Sequence, residues 1–104
     1  MMRFRKSMYV GPSVRNVSKA KWRLKTGRGN LSMYVMVLNH DSRRLEYFHN
    51  GILKQKALHK RDMDIVGLAG SADECIELVE KITANAFEAT GSYDIYQYMM
   101  QEQA

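Results

Sequence analysis

One cysteine, one proline and one tryptophan among 104 residues exclude several kinds of protein at the outset. A lone cysteine closes no internal disulfide and suits a reducing compartment, so a cytoplasmic location is expected. The longest unbroken apolar run, Met33 to Leu38, is six residues, far short of the roughly twenty that a membrane helix needs. Arg3, Arg5 and Lys6 precede only the short apolar stretch Met8-Tyr9-Val10, which is too little for a secretory signal. His40, His49 and His59 lie nine or ten residues apart and have no second His or Cys three or four positions away, so the usual metal-ligand spacing is absent, and no metal or cofactor is expected. No zinc-finger spacing or aromatic RNA-binding signature appears either. With no side chains placed together as nucleophile and base, no catalytic residue is assigned and a non-enzymatic role is expected.

Acidic residues are missing from the first 30 positions, which hold nine Lys and Arg. The net charge of +5 therefore hides a division. Residues 1–52 carry 11 Lys/Arg against 2 Asp/Glu, a balance of +9; residues 53–104 carry 5 against 9, a balance of −4. Such asymmetry points to an anionic partner, or to basic and acidic surfaces that meet within or between chains.

The hydrophobic content of 45% is that of an ordinary folded domain. Ile65-Val66-Gly67-Leu68-Ala69 reads as an inner strand that feeds straight into a long helix over about 72–90. Ser71 is its N-cap and Glu74 completes a capping box, with Asp73 adding charge to the first turn; Gly91 stops it. Cys75, Val79, Ile82, Ala86 and Ala89 form its apolar stripe, widened by Ile76, Leu78 and Phe87. Gly67 to Ser71 sits where phosphate loops occur, yet it has no Lys, and Asp73 and Glu74 would repel an anion. Capping explains it better. Cys75 lies on the apolar stripe near the helix start; it is read as a core cysteine, with an activated thiol as the alternative.

Met33, Val35 and Val37 alternate with Tyr34, Met36 and Leu38, so Ser32 to Asn39 is a strand with two apolar faces. Apolar residues on both faces mark an inner strand, or one whose second face meets the basic segment or another subunit. His40 to Arg43 is a turn, and Leu45 to His49 is the next strand. Asn50-Gly51 carries a type I′ hairpin signal that would return the chain along Ile52 to Gln55. For Ser13 to Thr26 helix and strand periods compete; helix is preferred, with Ser18 capping about 19–26. Ser92 or Asp94 is placed to cap a last short helix.

The expected fold class is α+β: a small antiparallel sheet of about four strands, one long C-terminal helix on one face, a short basic N-terminal helix and a short C-terminal helix. Residues 1–12 are expected to be a flexible arm ahead of a single domain at 13–104.

Two surfaces stand out. Arg15, Lys19, Lys21, Arg23, Lys25 and Arg28 surround Trp22, a pattern that attracts phosphates and offers a ring for base stacking. The competing account puts Trp22 and Leu24 in the core and leaves the cations as a solvated face. Exposure of Trp22 separates the two. The second surface is the tail with Tyr93, Tyr96, Tyr98, Met99 and Met100, residue types favoured at interfaces; it is read either as a homo-oligomer contact or as closure of the core. The expected partner is nucleic acid or an acidic protein, with no membrane; the runner-up is a protein–protein adaptor that does not bind nucleic acid.

Overall fold

A strand buried along its whole length needs neighbours on both edges and cover on both faces, and the sheet is built around one. In the computed structural model, which describes residues 2–26, 32–51 and 63–101, that strand is β4 (Met63–Ala69), every residue of which is buried. One edge of β4 pairs antiparallel with β2 (Tyr34–Asn39). Its other edge pairs parallel with β1 (Met2–Val10). β3 (Arg44–His49) completes the order β1-β4-β2-β3 by pairing antiparallel with β2. The fold is therefore α+β with a mixed four-stranded sheet rather than an antiparallel one.

Residues 1–12, expected as an arm, supply the strand that makes the sheet mixed. Phe4 and Met8 pack into the core beneath the basic helix, while Tyr9 packs on the opposite side of the sheet. That alternation gives the segment two docking faces beside a strand with an open edge.

The described residues hold three helices: α1 (Val17–Thr26) after β1, α2 (Ala72–Thr90) after β4, and α3 (Ile95–Gln101) directly after α2. The basic helix α1 does not lead the chain; strand β1 does. Asn16 caps α1, accepting from the Lys19 amide at 3.0 Å, so the helix starts one residue before the expected cap at Ser18. Ala20 and Leu24 of α1 pack with Met33, Val35 and Val37 of one sheet face. Met36 and Leu38 face the other way, onto Cys75, Leu78, Ile82 and Ala86 of α2 and Tyr98 and Met99 of α3. Helices thus cover both faces, and the two-sided strand finds its second cover in the chain's own basic segment.

The expected caps of α2 are in place. The Glu74 amide donates to Ser71 Oγ at 3.2 Å, and Gly91, at φ 74°, donates to Phe87 O at 2.8 Å. Its stripe is narrower than expected: Ile76, Phe87 and Ala89 are exposed. Phe87 instead stacks on Tyr93, with ring centroids 4.6 Å apart. Asp94 caps α3 through the Gln97 amide at 3.0 Å.

Between Met36 and Val37 the register of β2 on β4 shifts, leaving Val66 outside the ladder. A bulge of this kind turns adjacent side chains to one side. At Gly67 a Cβ would come within 2.9 Å of both Met36 Sδ and the Tyr9 carbonyl oxygen, so only glycine fits there. The β2–β3 turn at 40–43 is the expected one, with Arg43 left-handed at φ 57°. Asn50 and Gly51 form a short 3-10 turn, and neither has a positive φ, so the type I′ geometry is not present. The expected strand at Ile52 to Gln55 lies outside the described residues.

Candidate polyanion-binding face

Ten residues of α1 carry four cations and no acid, and the helix period sorts them. Val17, Ala20 and Leu24 point at the sheet. Ser18 and Trp22 occupy the opposite ridge, and Trp22 is 53% exposed. The two accounts of this segment therefore divide between its residues: Leu24 is core and Trp22 is surface.

Lys19 and Lys25, three positions before and after Trp22, are exposed neighbours of its ring on the helix surface. Lys21 and Lys25 lean to one flank, their ammonium groups 5.7 and 5.5 Å from the centroid of the Phe4 ring. Such a placement holds each cation by attraction to the ring face. Lys19 and Arg23 lie on the other flank and, with Arg15 ahead of the helix, line a cleft of about 290 Å³ that also includes Ser13, Asn16 and Ser32. The cations expected as one patch are thus split between two flanks with Trp22 between them. Arg28, the last of the expected set, lies outside the described residues.

Three exposed acidic residues of α2 lie across the sheet from α1. Glu77, Glu80 and Glu88 are exposed on α2, which covers the opposite face from α1. Pairing of the basic helix with the acidic helix of the same chain is therefore ruled out by the sheet between them.

The tail surface is also divided. Tyr98 and Met99 are 7% and 1% exposed and belong to the core, so they cannot form an interface while the chain is folded. Burial follows from α3 lying over Met36 and Leu38. Tyr96 is half-buried and its hydroxyl lies 2.8 Å from His40 Nδ1. Tyr93 and Met100 remain exposed.

A polar network missed by sequence reasoning ties these elements together. Asp64, in the buried strand β4, is the one buried charged residue among those described. Arg5 donates to it twice, Nη2 to Oδ2 at 3.1 Å and Nε to Oδ1 at 3.3 Å, and its Nη1 donates to the Met99 carbonyl at 2.6 Å. His40 Nε2 lies 3.2 Å from Asp64 Oδ2, and Arg43 sits 4.9 Å above the Tyr96 ring. β1, the β2–β3 turn, β4 and α3 meet there. An Asp–His–Tyr line has the members of a proton relay, but here the Asp64 carboxylate is held by a forked guanidinium, and the arrangement fastens α3 to the sheet. A carboxylate at the start of an apolar strand was the available signal: Asp64 directly precedes Ile65-Val66 and needs a partner if buried.

Cys75 is fully buried on α2. Burial pushes its thiol pKa up, and the nearby Glu74 charge adds to the rise. Both effects oppose thiolate formation, so the activated-thiol alternative is set aside. Among the described residues no cluster of three His, Cys, Asp or Glu could hold a metal ion, and no helix is long and apolar enough to cross a membrane.

Comparison with protein-family models, with curated proteins and with solved structures returned no match.

Proposed function

We propose that this protein acts by binding rather than catalysis, and that the outer surface of α1 engages a polyanion, single-stranded nucleic acid in the first place. The exposure of Trp22 on a helix with four cations and no acid carries this reading. An exposed ring between cations joins the two parts that sequence-tolerant single-strand binding uses: a base-stacking platform and phosphate contacts. Separation of the acidic helix α2 onto the far face favours an external partner over an internal one.

The test is titration with a labelled single strand of about ten nucleotides. Changing Lys21, Arg23 and Lys25 to Glu is expected to abolish binding, and Trp22→Ala to weaken it by about 1–3 kcal/mol. Equal weak binding by all three proteins would reject the reading.

A second reading, contact with another protein or a second copy of this chain, rests on the exposed Phe87–Tyr93 stack, with Tyr93 67% exposed. Light scattering at micromolar concentration distinguishes it: a larger species that Tyr93→Ser returns to monomer supports this surface, and a monomer counts against self-association.

A further inference from the structure

β1 and β4 are parallel neighbours, so both end at the same edge of the sheet. From there the chain leaves β1 for α1 on one face and β4 for α2 on the other. Adjacent parallel strands whose connections part in this way leave a crevice beyond their carboxyl ends, where ligands of α/β proteins bind. Two helices of ten and nineteen residues start side by side at this crevice, and the two starts differ.

The α2 start is already filled. The Glu74 carboxylate accepts from the Gly70 amide at 3.2 Å and the Ser13 amide at 3.4 Å, so the chain's own anion joins the two loops. The α1 start has no acid in its first turn. Arg15 and Lys19 stand there instead, at the end of a helix dipole that disfavours cations. A local rule broken without compensation inside the fold marks a site shaped for something else. Arg15, Lys19 and Arg23 converge on the cleft of about 290 Å³. Among the described residues none of the three is ion-paired. Ser13, Asn16 and Ser32 complete its wall, their side chains already bonded to Glu74, the Lys19 amide and His49, so the three cations are the groups left to meet a ligand.

We infer that this cleft is a site for a phosphomonoester, the terminal phosphate of a nucleic acid strand or a free phosphate. Three cations and the start of α1 supply the positive charge that a phosphate dianion needs. The inference deepens the nucleic-acid reading and rests on it only for the polymer: Lys21, Lys25 and Trp22 hold the strand, while the cleft takes its phosphorylated end.

Two titrations test it. In the first, inorganic phosphate is added to ¹⁵N-labelled protein against chloride at matched ionic strength. Amide resonances of Val17, Ser18 and Lys19 are expected to shift with phosphate alone, and to stay still in the Lys19→Ala/Arg23→Ala variant. In the second, single strands of about ten nucleotides with a 5′-phosphate and a 5′-hydroxyl are compared. The phosphorylated strand is expected to bind about tenfold more tightly, and this preference is lost in the same variant. Lys21→Ala is expected to weaken both strands equally. If phosphate moves no amide beyond the chloride control and both strands bind alike, the cleft is not a phosphate site, although the Trp22 surface stands. If phosphate moves those amides but neither strand binds, the cleft stands and the polymer reading falls.

Discussion

Asp64 is the buried carboxylate through which β1, β4 and the β2–β3 turn are joined. Its partner Arg5 is only 10% exposed, so removing the carboxylate leaves a guanidinium buried without a counter-charge. Loss of one member of a buried pair costs about 3–5 kcal/mol, and Asp64→Ala is expected to lower the urea midpoint accordingly. His40→Ala, which removes an outer hydrogen bond at a more exposed position, is expected to cost about 1 kcal/mol. Equal, small effects would mean that the network is incidental. Glu74 gives a pH dependence of known sign. The Ser13 hydroxyl first, then the Gly70 amide and, after these, the Ser13 amide hold its carboxyl below its ordinary value against a smaller opposing effect of burial. A folded pKa below the unfolded one contributes stability that is complete above the unfolded value and is lost as pH falls through the folded value. Glu74→Gln is therefore expected to be less stable than the native protein at neutral pH, with the difference shrinking in acid. Denaturant melts at a series of pH values read it directly; a constant difference would contradict the lacing of the two loops by this carboxylate.

Among the elements, α1 has one ridge in the core and another, with Trp22, at the surface. Leu24→Ala opens a cavity against Met33, Val35 and Val37 and is expected to destabilise by about 2–5 kcal/mol. Trp22→Ala, on the opposite ridge, is expected to change stability by less than about 1 kcal/mol while weakening polyanion binding. A large loss of stability from Trp22→Ala would return that ring to a packing role. The same helix marks the limit of what the residues disclosed. α2 was legible because a cap, a stripe and a glycine stop agreed within one segment, and β2 because strict alternation has a period that no helix shares. α1 was ambiguous because Trp22 and Leu24 fit both periods, and its outer tryptophan resembles a core residue by type. The Tyr/Met tail was ambiguous for a related reason: Tyr98 and Met99 are chemically suited to an interface and to a core, and it is the position of α3 that buries them. β1 is a strand where an arm is expected because its pairing with β4 joins residues about sixty positions apart, and local sequence does not report a distant partner strand. Asn50-Gly51 shows the reverse, a strong local signal overridden in place, where the Gly51 amide donates to His49 Nδ1 at 3.1 Å.

At the scale of the molecule, the sheet acts as a partition between charges of opposite sign. The cationic residues of α1 and the exposed glutamates of α2 occupy opposite faces, so the four cations of α1 are presented outward, whereas Arg5 is neutralised by Asp64 within the fold. A polarised molecule of this kind orients an approaching polyanion toward the α1 face and turns its acidic face away. The consequence is a steep and specific salt dependence. Each phosphate contact to a single strand contributes about −0.7 to the slope of log affinity against log salt, so engagement of Arg15, Lys19, Lys21, Arg23 and Lys25 together predicts a slope of about −3.5. The decisive measurement is a salt series of single-strand binding followed by the fluorescence of Trp22, the chain's one tryptophan. Quenching on binding with a slope of about −3 to −4 is the result predicted. Unchanged fluorescence, or an affinity indifferent to salt, would contradict it.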